Sequence, residues 1–372
     1  MYSFYCIFAL ESKRIERLEI DNDKLRHGRV MVIGCGALGN EVLKNLVLMG
    51  VCHFTVVDFD YVELGNLTRS ILFRESDVGK RKVDVVARRM KDIRPDVEVL
   101  TVFGNVAFDV GLGLFRKADV VVGCVDSRWA RYCIQRLCLR AGKTWIDGGI
   151  IELEGTARVF KPHHNCYACS LGPIGMEELQ RRMPCSGIIR RKEQAGHAPT
   201  TPIVASIIGA VQAQEAVKVI AGMPTSERML YYEGEHLTAR TIDHRAWDDD
   251  CPLHETWEPV ERRQGLSLET TVGELTQRGF TLLLNDPFVD HIVERETDRR
   301  TDVMCAAHSV EDFMESHPTL RYKLPGAFYQ NEYTVIDSSF PHKHLTLRDL
   351  GIPPHDIIRI KEENNRIIYV EI

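Results

Sequence analysis

Between residues 29 and 147 the chain alternates short apolar runs with amphipathic stretches of a longer period. The runs at 29–33, 53–57, 97–102, 118–124 and 144–147 read as strands, and the patterns at 38–49, 80–93 and 127–140 read as helices. In the second of these helices Val83, Val86, Ala87, Met90 and Ile93 share one face, and Pro95 follows as a stop. Such alternation predicts an α/β fold, a doubly wound and mostly parallel sheet. Beyond Gly155 the pattern predicts a strand at 156–160, a polar loop from about 172 to 199, and an apolar helix at 203–220. Thr201 caps that helix, Pro202 takes its first position and Gly222 ends it. Residues 228–245 read as antiparallel strands. A charged, proline-containing seam at 258–265 predicts two domains, 1–260 and 266–372, the second a small α+β module. Its clearest part is a helical turn at 347–350, a strand at 357–360, an Asn364-Asn365 turn and a strand at 366–371.

The first strand runs straight into Gly34-Cys35-Gly36-Ala37-Leu38-Gly39 and a helix. In this context a GxGxxG turn predicts a nucleotide site. Gly34 permits the tight turn, Gly36 lets backbone approach phosphate or ribose, and Gly39 lets the helix pack on the strand. Asp58, at the end of the next strand, stands where an acidic residue meets ribose hydroxyls. Asp126 follows the fourth strand at the carboxyl edge of the sheet, where open α/β sheets bind ligands. On the glycines and Asp58 alone, a nicotinamide-dependent dehydrogenase fits as well.

Composition narrows the setting. With 372 residues and a formal charge of -6, the chain lacks the basic excess that broad nucleic-acid or anionic-membrane binding requires. Residues 2–10 are apolar, but no basic stretch precedes them and 11–17 are heavily charged, so no signal peptide is expected. Gln212, Gln214, Glu215 and Lys218 interrupt the apolar helix, which therefore reads as a core helix and not a membrane span. Eleven cysteines, an odd number, suit a reducing cytoplasm where thiols bind metal or react. Cys35, Cys52, Cys124, Cys133 and Cys138 sit inside strand or helix patterns and read as core.

Two knuckles bracket the polar loop and the apolar helix: Cys166-Tyr167-Ala168-Cys169 and Cys251-Pro252-Leu253-His254. Three thiolates and an imidazole suit a closed structural Zn2+ site, with His163, His164 or His197 as other candidates for the fourth ligand. Cys185, in Met183-Pro184-Cys185-Ser186-Gly187, lies near Arg181, Arg182 and Arg190, which favour a thiolate.

After Asp58 come Asp60, then Asn66-Leu67-Thr68-Arg69, Leu72-Phe73, and Asp77-Val78-Gly79-Lys80-Arg81-Lys82, with Cys124-Val125-Asp126-Ser127 and Arg131 later. Over about residues 14–260 this order resembles the ThiF/MoeB/HesA family of the ubiquitin-activating enzyme superfamily. The resemblance implies a Rossmann-like adenylation domain that uses ATP and Mg2+ to adenylate the C-terminal glycine of a ubiquitin-like or sulfur-carrier protein. Asp58 would hold the ribose of ATP, Gly34, Gly36, Gly39 and Asp60 would belong to the cofactor site, Asn66, Arg69 and Lys82 would grip the triphosphate, and Asp126 would hold Mg2+ or order the phosphates. It further implies a homodimer in which Arg17, in Arg14-Ile15-Glu16-Arg17-Leu18, reaches the partner's phosphates. Thioester formation on Cys185, with transfer to a conjugating-enzyme-like protein, is also implied. The family pattern has glutamine where Leu18 stands and a second CxxC where Cys251 and His254 stand. Adenylation of another carboxylate, on a peptide natural product or a tRNA-modification substrate, is the alternative within the fold. A binding subunit without catalysis would not need Asp58, Arg69, Lys82 and Asp126 intact. The end of the chain is reminiscent of a β-grasp, ubiquitin-like module.

Overall fold

The computed structural model describes residues 20–182, 200–245, 247–251, 253–263, 265–294, 297–306 and 328–372. Arg17, Cys185 and His197 lie outside them. The described residues fall into two units, the first within Met1–Val106, Phe115–Ser170 and His197–Glu255, the second within Ala107–Leu114, Leu171–Gly196 and Thr256–Ile372.

In chain order the elements to the end of the first sheet are α1 (Asn22–His27), β1 (Arg29–Ile33), α2 (Ala37–Met49), β2 (His53–Asp58), α3 (Lys82–Ile93), β3 (Glu98–Phe103), α4 (Leu112–Lys117), β4 (Val120–Gly123), α5 (Arg128–Ala141), β5 (Trp145–Ile151), β6 (Glu154–Phe160), α6 (Tyr167–Arg182), α7 (Pro202–Ala221), β7 (Arg228–Glu233) and β8 (Thr238–Asp243). The eight strands form one sheet in the order β3-β2-β1-β4-β5-β6-β7-β8. The pairs from β3 to β5 are parallel. Those from β5 to β8 are antiparallel. Val30, Met31, Val32 and Ile33 of β1 are all buried, as a central strand covered on both faces requires. Strand order reverses between β1 and β4, which opens a crevice at their carboxyl ends.

Helix α7 is the described helix long and apolar enough to cross a membrane, yet half of its apolar window is buried inside the unit. Thr201 Oγ1 accepts the Val204 N–H at 3.3 Å, and Pro202 opens the helix where no N–H is needed. Its polar residues are used in the core. Gln212, fully buried, donates from Nε2 to the Gly123 carbonyl at 2.8 Å, and Glu215 Oε2 accepts the Ser226 N–H at 2.8 Å.

The polar loop expected from residue 172 is helical as far as Arg182, with a break at Gly172, where φ is +66°. Met176, Glu177, Glu178, Leu179 and Gln180 are strong helix formers, and they outweigh the polarity that suggests a loop.

The second unit contains β9 (Val260–Arg262), α8 (Val272–Gln277), β10 (Thr281–Glu294), β11 (Arg300–Ala306), β12 (Phe328–Ile336), β13 (Ile357–Lys361) and β14 (Ile367–Glu371). Its sheet runs β11-β10-β13-β14-β9, with β12 also paired to β10. Only β14 and β9 pair in parallel among these strands. Thr271 and Glu274 cap α8 reciprocally, at 3.2 and 2.9 Å. Val272, Leu275, Phe288, Ile336, Phe340, Leu347 and Ile360 build its core.

Among the described residues of this unit, one carboxylate is buried. Asp290, 2% exposed, accepts from Asn331 Nδ2 at 2.8 Å and from Tyr333 Oη at 3.2 Å, and pairs with His342 Nε2 at 3.1 Å. Burial alone would raise its pKa, but the bonds from Asn331 and His342, the charge of His291 and the Tyr333 hydroxyl outweigh it and hold the carboxyl below its ordinary value. A depressed folded pKa stabilises above the unfolded value of about 4, and that contribution is lost as pH falls through the lower folded value. Thermal melts of the full chain between pH 7 and pH 3 should therefore show an acid-induced loss in the wild type that Asp290→Asn reduces. Parallel profiles would contradict the assignment.

Candidate active site

The crevice gathers residues far apart in sequence. Hydrogen bonds from Gly34 N to Val57 O (2.8 Å) and from Cys124 N to Ile33 O (2.7 Å) bring the ends of β1, β2 and β4 together. Gly34 adopts φ +97°, and a Cβ there would lie 2.4 Å from the Cys124 carbonyl oxygen. A Cβ on Gly39 would lie 1.9 Å from the Gly34 carbonyl oxygen. These two glycines serve the fold. Gly36 differs: a Cβ there meets no protein atom within 4 Å. The space beside it is open, which is what a nucleotide approaching the backbone needs.

Asp58 is 9% exposed, and both its oxygens are engaged. Cys35 N donates to Oδ2 at 2.6 Å and Asp60 N to Oδ1 at 2.8 Å. Burial pushes the Asp58 carboxyl up, opposed by the Lys82 charge and by the two N–H bonds. Each carboxylate oxygen has a further lone pair, so hydroxyl groups can still be received. Lys82, with its side chain 10% exposed, pairs through Nζ with Asp60 Oδ2 at 2.7 Å. The cation and both acidic residues thus form one cluster beside the glycine turn.

Asn66 is tied locally, because its Oδ1 accepts the Glu63 N–H at 3.0 Å and caps the short 3-10 turn Leu64–Thr68. Arg69 closes that turn, half-buried, with Nη1 on the Gly65 carbonyl at 2.8 Å. Asp126 is exposed just before Ser127, whose Oγ caps α5 by accepting the Ala130 N–H at 3.4 Å. The structure therefore brings Gly34, Gly36, Gly39, Asp58, Asp60, Lys82 and Asp126 to the carboxyl edge of one sheet, with Asn66 and Arg69 on the segment that follows β2.

Three further residues shape this edge. Arg131 donates from Nε to the buried Asp147 Oδ1 at 2.9 Å and from Nη2 to the carbonyls of Val125 (2.7 Å) and Gly148 (3.2 Å). It holds the residue next to Asp126. Asp77, fully buried, accepts from Arg89 at 3.2 Å and from Arg88, and receives the Arg74 N–H at 3.1 Å. Asn40, fully buried on α2, joins the glycine turn to Leu72. Arg131 and Asp77 stand inside motifs visible in sequence, whereas Asn40 gives no sequence signal.

The knuckles also converge. One ligand atom from each of Cys166, Cys169, Cys251 and His254 lies within 4.8 Å of the others. Cys169 Sγ is 3.5 Å from His254 Nε2. A tetrahedral ion with bonds near 2.0–2.3 Å places its ligands roughly 3.5–4 Å apart, so the set fits zinc. Burial pushes the Cys166 and Cys251 thiols up, a cost that a dication removes by binding thiolates. Trp247 stacks on the His254 ring, and His254 Nδ1 is buried without a hydrogen-bond partner. Cys35, Cys52, Cys124, Cys133 and Cys138 are buried, and none is bridged.

Residues 13–253 match the ThiF family, and the chain belongs to it. Among relatives, it is 31% identical over 233 residues to the adenylyltransferase and sulfurtransferase MOCS3-1 of Zea mays, covering 61% of this chain and 47% of the relative. It is 30% identical over 232 residues to the SAMP-activating enzyme E1 of Haloferax volcanii (62% and 81%). It is also 30% identical over 233 residues to the sulfur carrier protein adenylyltransferase of Thermus thermophilus (62% and 83%). The match spans about half the length of the MOCS3 relatives. Among solved structures, E. coli MccB with ATP aligns at a TM-score of 0.50 and 22% identity, over 62% of this chain and 68% of that one, which establishes a shared fold.

The glycines separate experimentally. Gly36→Ala should change stability by no more than about 1 kcal/mol, because the added methyl enters open space at a helix cap. Gly39→Ala should cost on the order of 3 kcal/mol or prevent folding, because backbone must move. Chemical denaturation of both variants checks this, and equal losses would refute the division of roles.

Proposed function

We propose that this chain adenylates a carboxylate, the C-terminal glycine of a small ubiquitin-like or sulfur-carrier protein. The observation that carries the reading is the joining of an open glycine turn, the Asp58-Asp60-Lys82 cluster and Asp126 at one sheet edge. A substrate carboxylate is already ionised at neutral pH, so no general base is needed. Its oxygen bonds to the α-phosphorus of ATP, the bond to the bridging oxygen breaks, and pyrophosphate leaves with the electron pair. The products are an acyl-adenylate and pyrophosphate. Catalysis consists of alignment and charge neutralisation.

In this reading Gly36 gives the nucleotide access to backbone N–H groups, and Asp58 receives the ribose hydroxyls. Lys82 exchanges its contact with Asp60 for phosphate, and Arg69 would add a second cation for the triphosphate. Asp126 and Asp60 would hold Mg2+, which would supply charge neutralisation on the phosphates. Cys166, Cys169, Cys251 and His254 would hold Zn2+ as a structural staple with no catalytic role. Transfer of the acyl group to Cys185 with release of AMP, passage to a conjugating-enzyme-like protein, and Arg17 supplied by a second copy rest on sequence position.

ATP-pyrophosphate exchange with glycine-terminated ubiquitin-like proteins tests the reading. Exchange should be present, and Arg69→Ala and Asp126→Ala should each lower it by about 100-fold or more at unchanged fold. Retained exchange in either variant would remove that residue's role, and absence of exchange with every glycine-terminated partner would remove the substrate class. For the metal, purified protein should carry stoichiometric zinc, and chelation should lower the melting temperature. Chelator-treated protein that is metal-free and melts unchanged would refute the staple.

A further inference from the structure

We propose that Asn40 is a joint that fixes the Arg69–Arg74 segment against the glycine turn, and is thereby a positioning residue for nucleotide binding. The side chain is fully buried. Its Nδ2 donates to the carbonyls of Cys35 at 2.7 Å and Gly36 at 3.0 Å, and its Oδ1 accepts the Leu72 N–H at 2.8 Å. Both amide protons and one oxygen lone pair are thus used, and they connect two stretches separated by 32 positions in sequence. One end is the turn whose open side, at Gly36, would receive the nucleotide. The other lies three residues beyond Arg69.

The rest of the segment has its own ties, which make it a stiff lever. Phe73 N bonds to Ser70 O at 3.2 Å, Leu72 and Phe73 are buried, and Arg74 Nη1 donates to the carbonyls of Ile71 (2.7 Å) and Phe73 (2.8 Å). Arg69 is held on its N-terminal side by its N–H on the Asn66 carbonyl (3.1 Å) and its Nη1 on the Gly65 carbonyl (2.8 Å), and the anchored Leu72 fixes the chain on its other side. The helix alone has no need of this amide, because Asn40 N already bonds to Gly36 O at 2.9 Å as an ordinary helical hydrogen bond. A buried asparagine on an otherwise apolar helix face costs stability unless satisfied, and here all three bonds go to backbone at or beside the site.

The proposal rests on the nucleotide reading above, and its test separates the two. Asn40→Ser retains a hydroxyl able to bond the Gly36 carbonyl one helical turn back, but is too short to reach Leu72, so it cuts the joint and spares the helix. Asn40→Ala removes all three bonds, keeps a strong helix former and buries no charge, and serves where the serine variant does not fold. ATP binding to the full chain by calorimetry should weaken about tenfold in either variant, while the thermal transition remains cooperative. Arg69→Ala should weaken ATP binding more than about tenfold on the native background but less than about threefold on Asn40→Ser, because a displaced arginine has little left to lose. Binding by Asn40→Ser equal to that of the wild type, or the same factor for Arg69→Ala on both backgrounds, would overturn the joint and leave the nucleotide reading intact. A wild-type chain that binds no ATP would overturn both.

Discussion

The carboxylate of Asp58 holds the Cys35 N–H at 2.6 Å and the Asp60 N–H at 2.8 Å, and the rest of the site is built around that grip. A tight strand-to-helix turn leaves backbone N–H groups pointing away from any ladder, and a buried unpaired N–H is costly. Asp58 satisfies the first of them from the end of the neighbouring strand. In doing so it becomes buried, which raises its own pKa, and Lys82 beside it supplies the compensating charge. Lys82 is in turn paired with Asp60, so the turn, the acidic pair and the cation are one electrostatic unit.

Packing confines that unit from the other side. Gly39 touches the Gly34 carbonyl so closely that no side chain fits, and the Cys124 carbonyl lies against Gly34. Behind β4, Gln212 of α7 holds the Gly123 carbonyl, and Arg131 holds the Val125 carbonyl on the approach to Asp126. These contacts fix the backbone on which the exposed Asp126 is presented, so an exposed acidic residue stands at a defined place without being buried itself.

How much of this the sequence discloses depends on the physics of each element. The apolar runs of β1, β2 and β4 are continuous because both sheet faces are covered, and the glycine motif between β1 and α2 is local, so both are readable. The 14-residue β10 escapes the sequence pattern: its register shifts between Leu283 and Phe288 and again between Val289 and His291, which breaks the twofold alternation a strand shows in sequence. The helical run to Arg182 reads as loop because its polarity masks its helix-forming residues. Within the site, Asp58, Arg69 and Lys82 stand at recognisable spacings. Asn40 and Gln212 do not, because a polar residue within an apolar helix pattern is informative only once its buried partners, 32 and 89 positions away, are placed.

The proposed coupling of a carboxylate to the α-phosphorus of ATP at this sheet edge can be caught with hydroxylamine in the presence of α-labelled ATP and a glycine-terminated ubiquitin-like protein. Acyl-adenylate formation should yield labelled AMP and a hydroxamate at the C-terminal glycine, in equal amounts. Labelled ADP, or ATP left unchanged with no hydroxamate formed, would contradict it.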